Sequence, residues 1–171
     1  MWSYQKKLEY PINIRKPDAR AAKIIMTQYG GPDGELGASL RYLSQRFAMP
    51  YKEVVGTLTD VGTEELAHLE MICTMIYQLT RNLSIEEIKA QGFADYFVDH
   101  TTGIWPSAAT GVPFSSNTFQ SKGDILTDLH EDMAADAALW NVQTFLIERK
   151  HLRYGHATSE VSFCLIIYLK C

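Results

Sequence analysis

Residues 63–79, TEELAHLEMICTMIYQL, decide the fold. Taken with Val61 at helical spacing, one face of this stretch runs Val61, Glu65, His68, Ile72, Met75, Leu79. Four of these side chains are apolar; the other two are a carboxylate and an imidazole. Burying the latter pair is costly unless something neutralises and coordinates them. Glu64 and Glu70 fall off the stripe and are expected to face water. An apolar helix face that carries only Glu65 and His68 as polar members points to metal ligation more strongly than the E-x-x-H string, which recurs by chance.

Working outward, the alternation of Leu8, Tyr10, Ile12 and Ile14 predicts a short strand or an extended N-terminal arm. Pro17 and Asp18 open a helix expected to run to about Tyr29. Gly30, Gly31, Pro32 and Gly34 interrupt it, and a second helix follows with Leu36, Leu40, Leu43 and Phe47 on one face, ending before Pro50. Residues 51–81 carry the decisive helix, with Gly56 and Gly62 as weak points. Ser84 caps a short helix and Glu87 completes a capping box. Residues 92–123, GFADYFVDHTTGIWPSAATGVPFSSNTFQSKG, have no helical period, and a stretch this long inside a domain is expected to be an ordered crossover. Asp124 then opens a last long helix with the apolar stripe Ile125, Leu129, Met133, Trp140 and Ile147, and Asp136 lies on that stripe. In residues 151–171 the character changes, and 161–169 reads as a β-type apolar run.

Composition sets the class. The chain has 171 residues, 46% of them hydrophobic and 21% charged, enough for one globular core. A net charge of −4 without a basic patch argues against nucleic acid as the partner. No segment reads as a signal peptide or membrane span, so synthesis and retention in the cytosol are expected. The three cysteines, Cys73, Cys164 and Cys171, are scattered, without the spacing of a disulfide framework or a zinc site, and Cys73 is expected in the core.

A two-metal site in a helical bundle needs carboxylates and imidazoles projecting inward from several helices, commonly a Glu from each of two helices and a Glu-x-x-His from each of the others. This chain offers Glu35, the pair Glu65 and His68, and Asp136. Carboxylate-rich donor sets of this kind suit manganese or iron. Glu35 also reads as a first-turn partner of the helix dipole, and Asp136 as a carboxylate facing a groove. The second E-x-x-H, Glu148 to His151, continues the helix of Asp136 and would lie about 18 Å along its axis, so it is not read as a ligand pair. His100, His130 and His156 have no partner pattern. The sequon at Asn82 has no export signal to make it relevant.

The segments YGGPDGELGASLRYLSQRF (29–47), LTDVGTEELAHLEMICTMIYQLT (58–80), AATGVPFSSNTFQSKGD (108–124) and DLHEDMAA (128–135) together resemble the manganese catalase family, in particular its short CotJC-type spore-coat branch. The resemblance extends from residue 1 to about 136. It implies an all-α, ferritin-like four-helix bundle with an N-terminal extended arm and a long crossover, in a domain covering residues 1–150. It implies two manganese ions per subunit, with Glu35 a terminal ligand of one, Glu65 bridging both, His68 completing the first and Asp136 standing where the family has the Glu of the second. It makes Tyr42 a residue that hydrogen-bonds beside the cluster. The implied reaction is disproportionation of hydrogen peroxide to water and oxygen. The implied partners are further copies of the chain and other spore-coat proteins, with the spore coat as destination; a structural coat role with a vestigial metal site is the alternative. The chain departs from the family in Asp136, one methylene shorter than Glu, and in Phe163, which stands three residues after Glu160 where the fourth-helix His is expected. The fourth helix therefore reads as missing, and residues 151–171 as a divergent tail produced by a disrupted reading frame.

Overall fold

The structure, a computed structural model, describes residues 3–96 and 103–148, with side chains through residue 137. The stripe positions Trp140 and Ile147, the side chain of Glu148, residues His100, His151, His156, Cys164 and Cys171, and the run 161–169 lie outside what it describes, as does the region assigned to a disrupted frame.

Five α-helices make up the described chain: α1 (Ala19–Gly30), α2 (Glu35–Gln45), α3 (Lys52–Thr80), α4 (Ile85–Ala90) and α5 (Ile125–Glu148). Among the described residues there is no strand, only an isolated bridge between Ser107 and Pro113. The Asp18 carboxylate caps α1 by accepting from the backbone N–H groups of Arg20 and Ala21. Asp18 itself donates its N–H to the carbonyl of Leu79 at 2.7 Å, which fixes the start of α1 beside the end of α3. From there α1 runs back along α3 and buries Ala22, Ile25 and Met26 against Ile72, Met75, Ile76 and Leu79. The chain breaks at Gly31–Gly34 and resumes as α2, which packs Ala38 and Tyr42 with Leu58 near the start of α3. α1 and α2 are thus two halves of one interrupted rod, antiparallel to α3.

Close approach at the two halves requires glycine. A Cβ on Gly30 would sit 2.2 Å from the backbone nitrogen of Ser107, and one on Gly62 would sit 2.9 Å from Leu43 Cγ. At the second point the Ser39 hydroxyl donates to the Gly62 carbonyl at 2.6 Å and locks α2 to α3. Neither Gly62 nor Gly56 breaks α3.

The N-terminal arm is extended, as the alternation predicts, but it pairs with a helix and not with a strand. Gln78 presents its side-chain amide as a strand edge would: its Oε1 accepts from Ile14 N at 2.7 Å and its Nε2 donates to Ile12 O at 2.9 Å. Ile12 and Ile14 are buried beneath it. The capping box of Ser84 and Glu87 forms as expected. In the crossover the Tyr96 hydroxyl donates to the Ala109 carbonyl. Lys122 N and Gly123 N donate to the carboxylate of Asp128, which ties the end of the crossover to the first turn of α5.

The structure corrects several of the sequence readings. The leucine stripe of α2 is not its buried face: Leu40 is exposed, Leu36 and Leu43 are half-buried, and Phe47 beyond the helix is 81% exposed. The buried face is Glu35, Ala38, Ser39, Arg41, Tyr42 and Gln45. On α5 Met133 is exposed, whereas Asp128 and Asp132 are buried. Ser39, Arg41, Tyr42, Gln45, Asp128 and Asp132 each make at least one hydrogen bond there, while Arg41 Nε and Nη1, Gln45 Oε1 and Asp132 Oδ2 are buried without one. Cys73 is only partly buried, at an apolar cavity of about 570 Å³ that it lines with Tyr29 and Ile76.

Candidate metal centre

The predicted face of α3 is the buried one: Glu65 is 1% exposed and His68 4%. Glu35, in the first turn of α2, is 3% exposed and enters the same space because the glycine break sets α2 down opposite the middle of α3. Nδ1 of His68 lies 2.8 Å from Glu65 Oε2 and 3.8 Å from Glu35 Oε2. A carboxylate oxygen from each glutamate and a ring nitrogen of the histidine all fall within 4.8 Å of one another. Two carboxylates and one imidazole, all buried and converging from two helices, make a donor set that fits a hard divalent cation such as Mn(II) or Fe(II).

The electrostatics point the same way. Burial, and then the charge and hydrogen bond of Glu35, push the Glu65 carboxyl well above the usual carboxylate range. Burial opposes charge on His68, but hydrogen bonds to Glu35 and Glu65 hold its ring well above the ordinary histidine value. Burial would also raise Glu35, yet the hydrogen bonds it receives from Glu65 and His68 leave it lowered.

Asp136 stands outside this close set. Its Oδ1 accepts from the Tyr42 hydroxyl at 2.7 Å. Burial first, opposed by that hydrogen bond and reinforced by Asp132 and Glu35, lifts its pKa to about 7. One turn earlier, Asp132 accepts from Gln45 Nε2 at 3.0 Å and is lifted by burial to about 6. Burial and the neighbouring Asp136 push the Tyr42 phenol far above its ordinary value. Arg41, fully buried, donates to Asp33 at 3.0 Å and to the Pro32 carbonyl at 3.2 Å, and its charge moderates both aspartates. The structure thus brings Glu35, Glu65 and His68 together and puts Tyr42 and Asp136 beside them as a hydrogen-bonded pair.

Sequence reasoning missed Arg41, Gln45, Asp128 and Asp132. The spacing of four that links Asp128, Asp132 and Asp136 on one face of α5 was the available signal. Glu64 was expected to face water; it is half-buried, and burial raises its pKa.

Fold and site together define a helical protein with a buried carboxylate–histidine centre. Residues 1–150 match the family of manganese-containing catalases, and the chain belongs to that family. It is 47% identical to Protein CotJC of Bacillus subtilis (strain 168) over 148 residues, 86% of this chain and 78% of that one. It is 29% identical to a probable manganese catalase of Clostridium acetobutylicum, covering 61% of that protein's length. The solved structure of KatB, a manganese catalase from Anabaena, superposes with a TM-score of 0.77 at 26% identity over 98% of this chain and 74% of that one. The fold is therefore the ferritin-like helical one of these catalases.

Proposed function

We propose that this chain is a manganese-dependent catalase that disproportionates hydrogen peroxide to water and oxygen in association with the spore coat. The observation that carries the reading is the convergence of Glu35, Glu65 and His68 in one buried set. These three residues would hold the first ion, with Glu65 shared toward a second and Asp136 supplying that second ion's carboxylate. Bound manganese would supply the two-electron redox capacity of the reaction. The chain's own residues exclude bulk water and orient the ligands. The Tyr42 hydroxyl donates to Asp136 Oδ1 and fixes the orientation of that carboxylate. Purified full-length chain should bind two manganese ions and release oxygen steadily from peroxide, and Glu35→Gln should abolish the release. A metal-loaded chain that evolves no oxygen sinks the enzyme reading.

A structural coat role is the second reading. It is favoured by the hydrogen bond that holds Asp136 to Tyr42, outside the close ligand set, and by the similarity to CotJC. A chain that binds no manganese yet still joins the coat would establish it.

A further inference from the structure

Among the described residues His68 belongs to two groups of potential ligands. One is the buried set with Glu35 and Glu65. The other is Glu9, Glu64 and His68, again with one donor atom from each residue within 4.8 Å of the others. Glu64 precedes His68 by four residues on α3, one turn away on the same side of the helix. Glu9 reaches across from the N-terminal arm and is exposed, while Glu64 is half-buried. The His68 side chain is only 5% exposed and turns Nδ1 toward Glu65. Its Nε2 is buried and has no hydrogen-bond partner. Nδ1 is taken up by Glu65, so Nε2 is the ring nitrogen left for a further ligand. A buried ring nitrogen without a partner is costly, and Glu9 and Glu64 each bring a carboxylate oxygen within 4.8 Å of a nitrogen of this ring.

We propose that Glu9, Glu64 and Nε2 of His68 form an outer divalent-cation site, of the Mn(II) or Fe(II) class, where an ion is held before it reaches the inner set. The proposal rests on reading the inner set as a metal site. A neutral imidazole has one lone pair, so His68 serves one site at a time. With Nδ1–H donated to Glu65 and Nε2 deprotonated, the lone pair lies on Nε2 and is available to an outer ion. When Nδ1 ligates an inner ion, the hydrogen moves to Nε2, and Glu64 becomes the acceptor that steadies the ring. One side chain thus joins a solvent-facing port to a closed centre.

Manganese binding to the full-length chain, followed by the electron paramagnetic resonance of free Mn(II), tests the site. The variant Glu35→Gln with Glu65→Gln lacks both inner carboxylates and should still bind one ion per chain. Adding Glu9→Gln and Glu64→Gln should weaken that binding by about tenfold or more, as loss of direct ligands requires. Asp60→Asn, which removes a neighbouring charge outside the set, should change it by less than about twofold. Equal binding by the double and quadruple variants overturns the proposal, as does an Asp60→Asn effect as large as theirs. In the chain with its inner set intact, Glu9→Gln with Glu64→Gln should slow manganese uptake about tenfold without changing final occupancy; an unchanged rate overturns the proposal even if the first variant does not fold. Oxygen release by the unaltered chain is a separate reading, so failure of the catalase assignment and failure of the outer site are distinguishable.

Discussion

At the scale of single residues the buried acids of α5 decide how stability follows pH. Asp136 rises from an ordinary value of 3.8 to about 7 in the fold, and Asp132 from 3.8 to about 6. A carboxyl with a raised folded value binds its proton more tightly in the native state than in the unfolded one. Its contribution is therefore full below about pH 4 and is lost as pH climbs to about 7. Metal-free protein should weaken across that window. Asp136→Asn keeps an acceptor for Tyr42 but cannot ionise, so it should stabilise the metal-free chain at pH 8 by on the order of 1–3 kcal/mol and much less at pH 4. Urea unfolding at the two pH values checks this, and an equal difference at both would refute it. Tyr42→Phe works in the opposite sense. It strips the donor from Asp136 Oδ1 and should cost about 1–3 kcal/mol at neutral pH, read in the same titration.

At the scale of elements, two glycines in α3 should respond with opposite signs. A Cβ at Gly56 meets nothing within 4 Å, so Gly56→Ala should stabilise by roughly 0.5–1 kcal/mol through helix propensity alone. At Gly62 the same atom meets Leu43 Cγ at 2.9 Å and Tyr42 Cβ at 3.2 Å. Gly62→Ala should push α2 outward, cost about 1–3 kcal/mol, and weaken metal binding by displacing Glu35. Thermal melts of the two variants, which differ only in position along one helix, check the pair. The same contrast explains what could be read from sequence. α3 was legible because its stripe is apolar apart from Glu65 and His68, and the stripe is the buried face. α2 was legible as a helix but not in its orientation. Its leucines suggested a core face, whereas Ser39, Arg41, Tyr42 and Gln45 turn inward onto partners that lie 8 to 94 residues away. No periodicity encodes a partner at that distance. The arm was legible as extended through its alternation, but its acceptor, the amide of Gln78, was not.

At the scale of the whole molecule an ion held as proposed would be coupled to folding. α3 alone gives Glu65 and His68, and only the completed packing of α1 and α2 along α3 brings in Glu35. An ion binding this set therefore binds the native state and not the unfolded chain, and stabilises it by about 2.7 kcal/mol when free Mn(II) is a hundredfold above its dissociation constant. The raised values of Glu65 and His68 mean that each holds its proton to higher pH in the metal-free fold than in the unfolded chain. Ligation requires their deprotonated forms, so an ion competes with those protons and its binding should strengthen as pH rises. Calorimetry of Mn(II) binding in two buffers of different ionisation enthalpy should show between about one and two protons released per inner ion, with affinity growing from pH 6 to pH 8. Adding Mn(II) at pH 7.5 should raise the melting temperature, and a chelator should reverse the rise. The metal-free chain loses stability as pH climbs toward 7, while the loaded chain gains affinity over the same range. The gap between their melting temperatures should therefore widen with pH, and a gap that stays constant between pH 6 and pH 8 would show that Glu65 and His68 do not exchange protons for the ion.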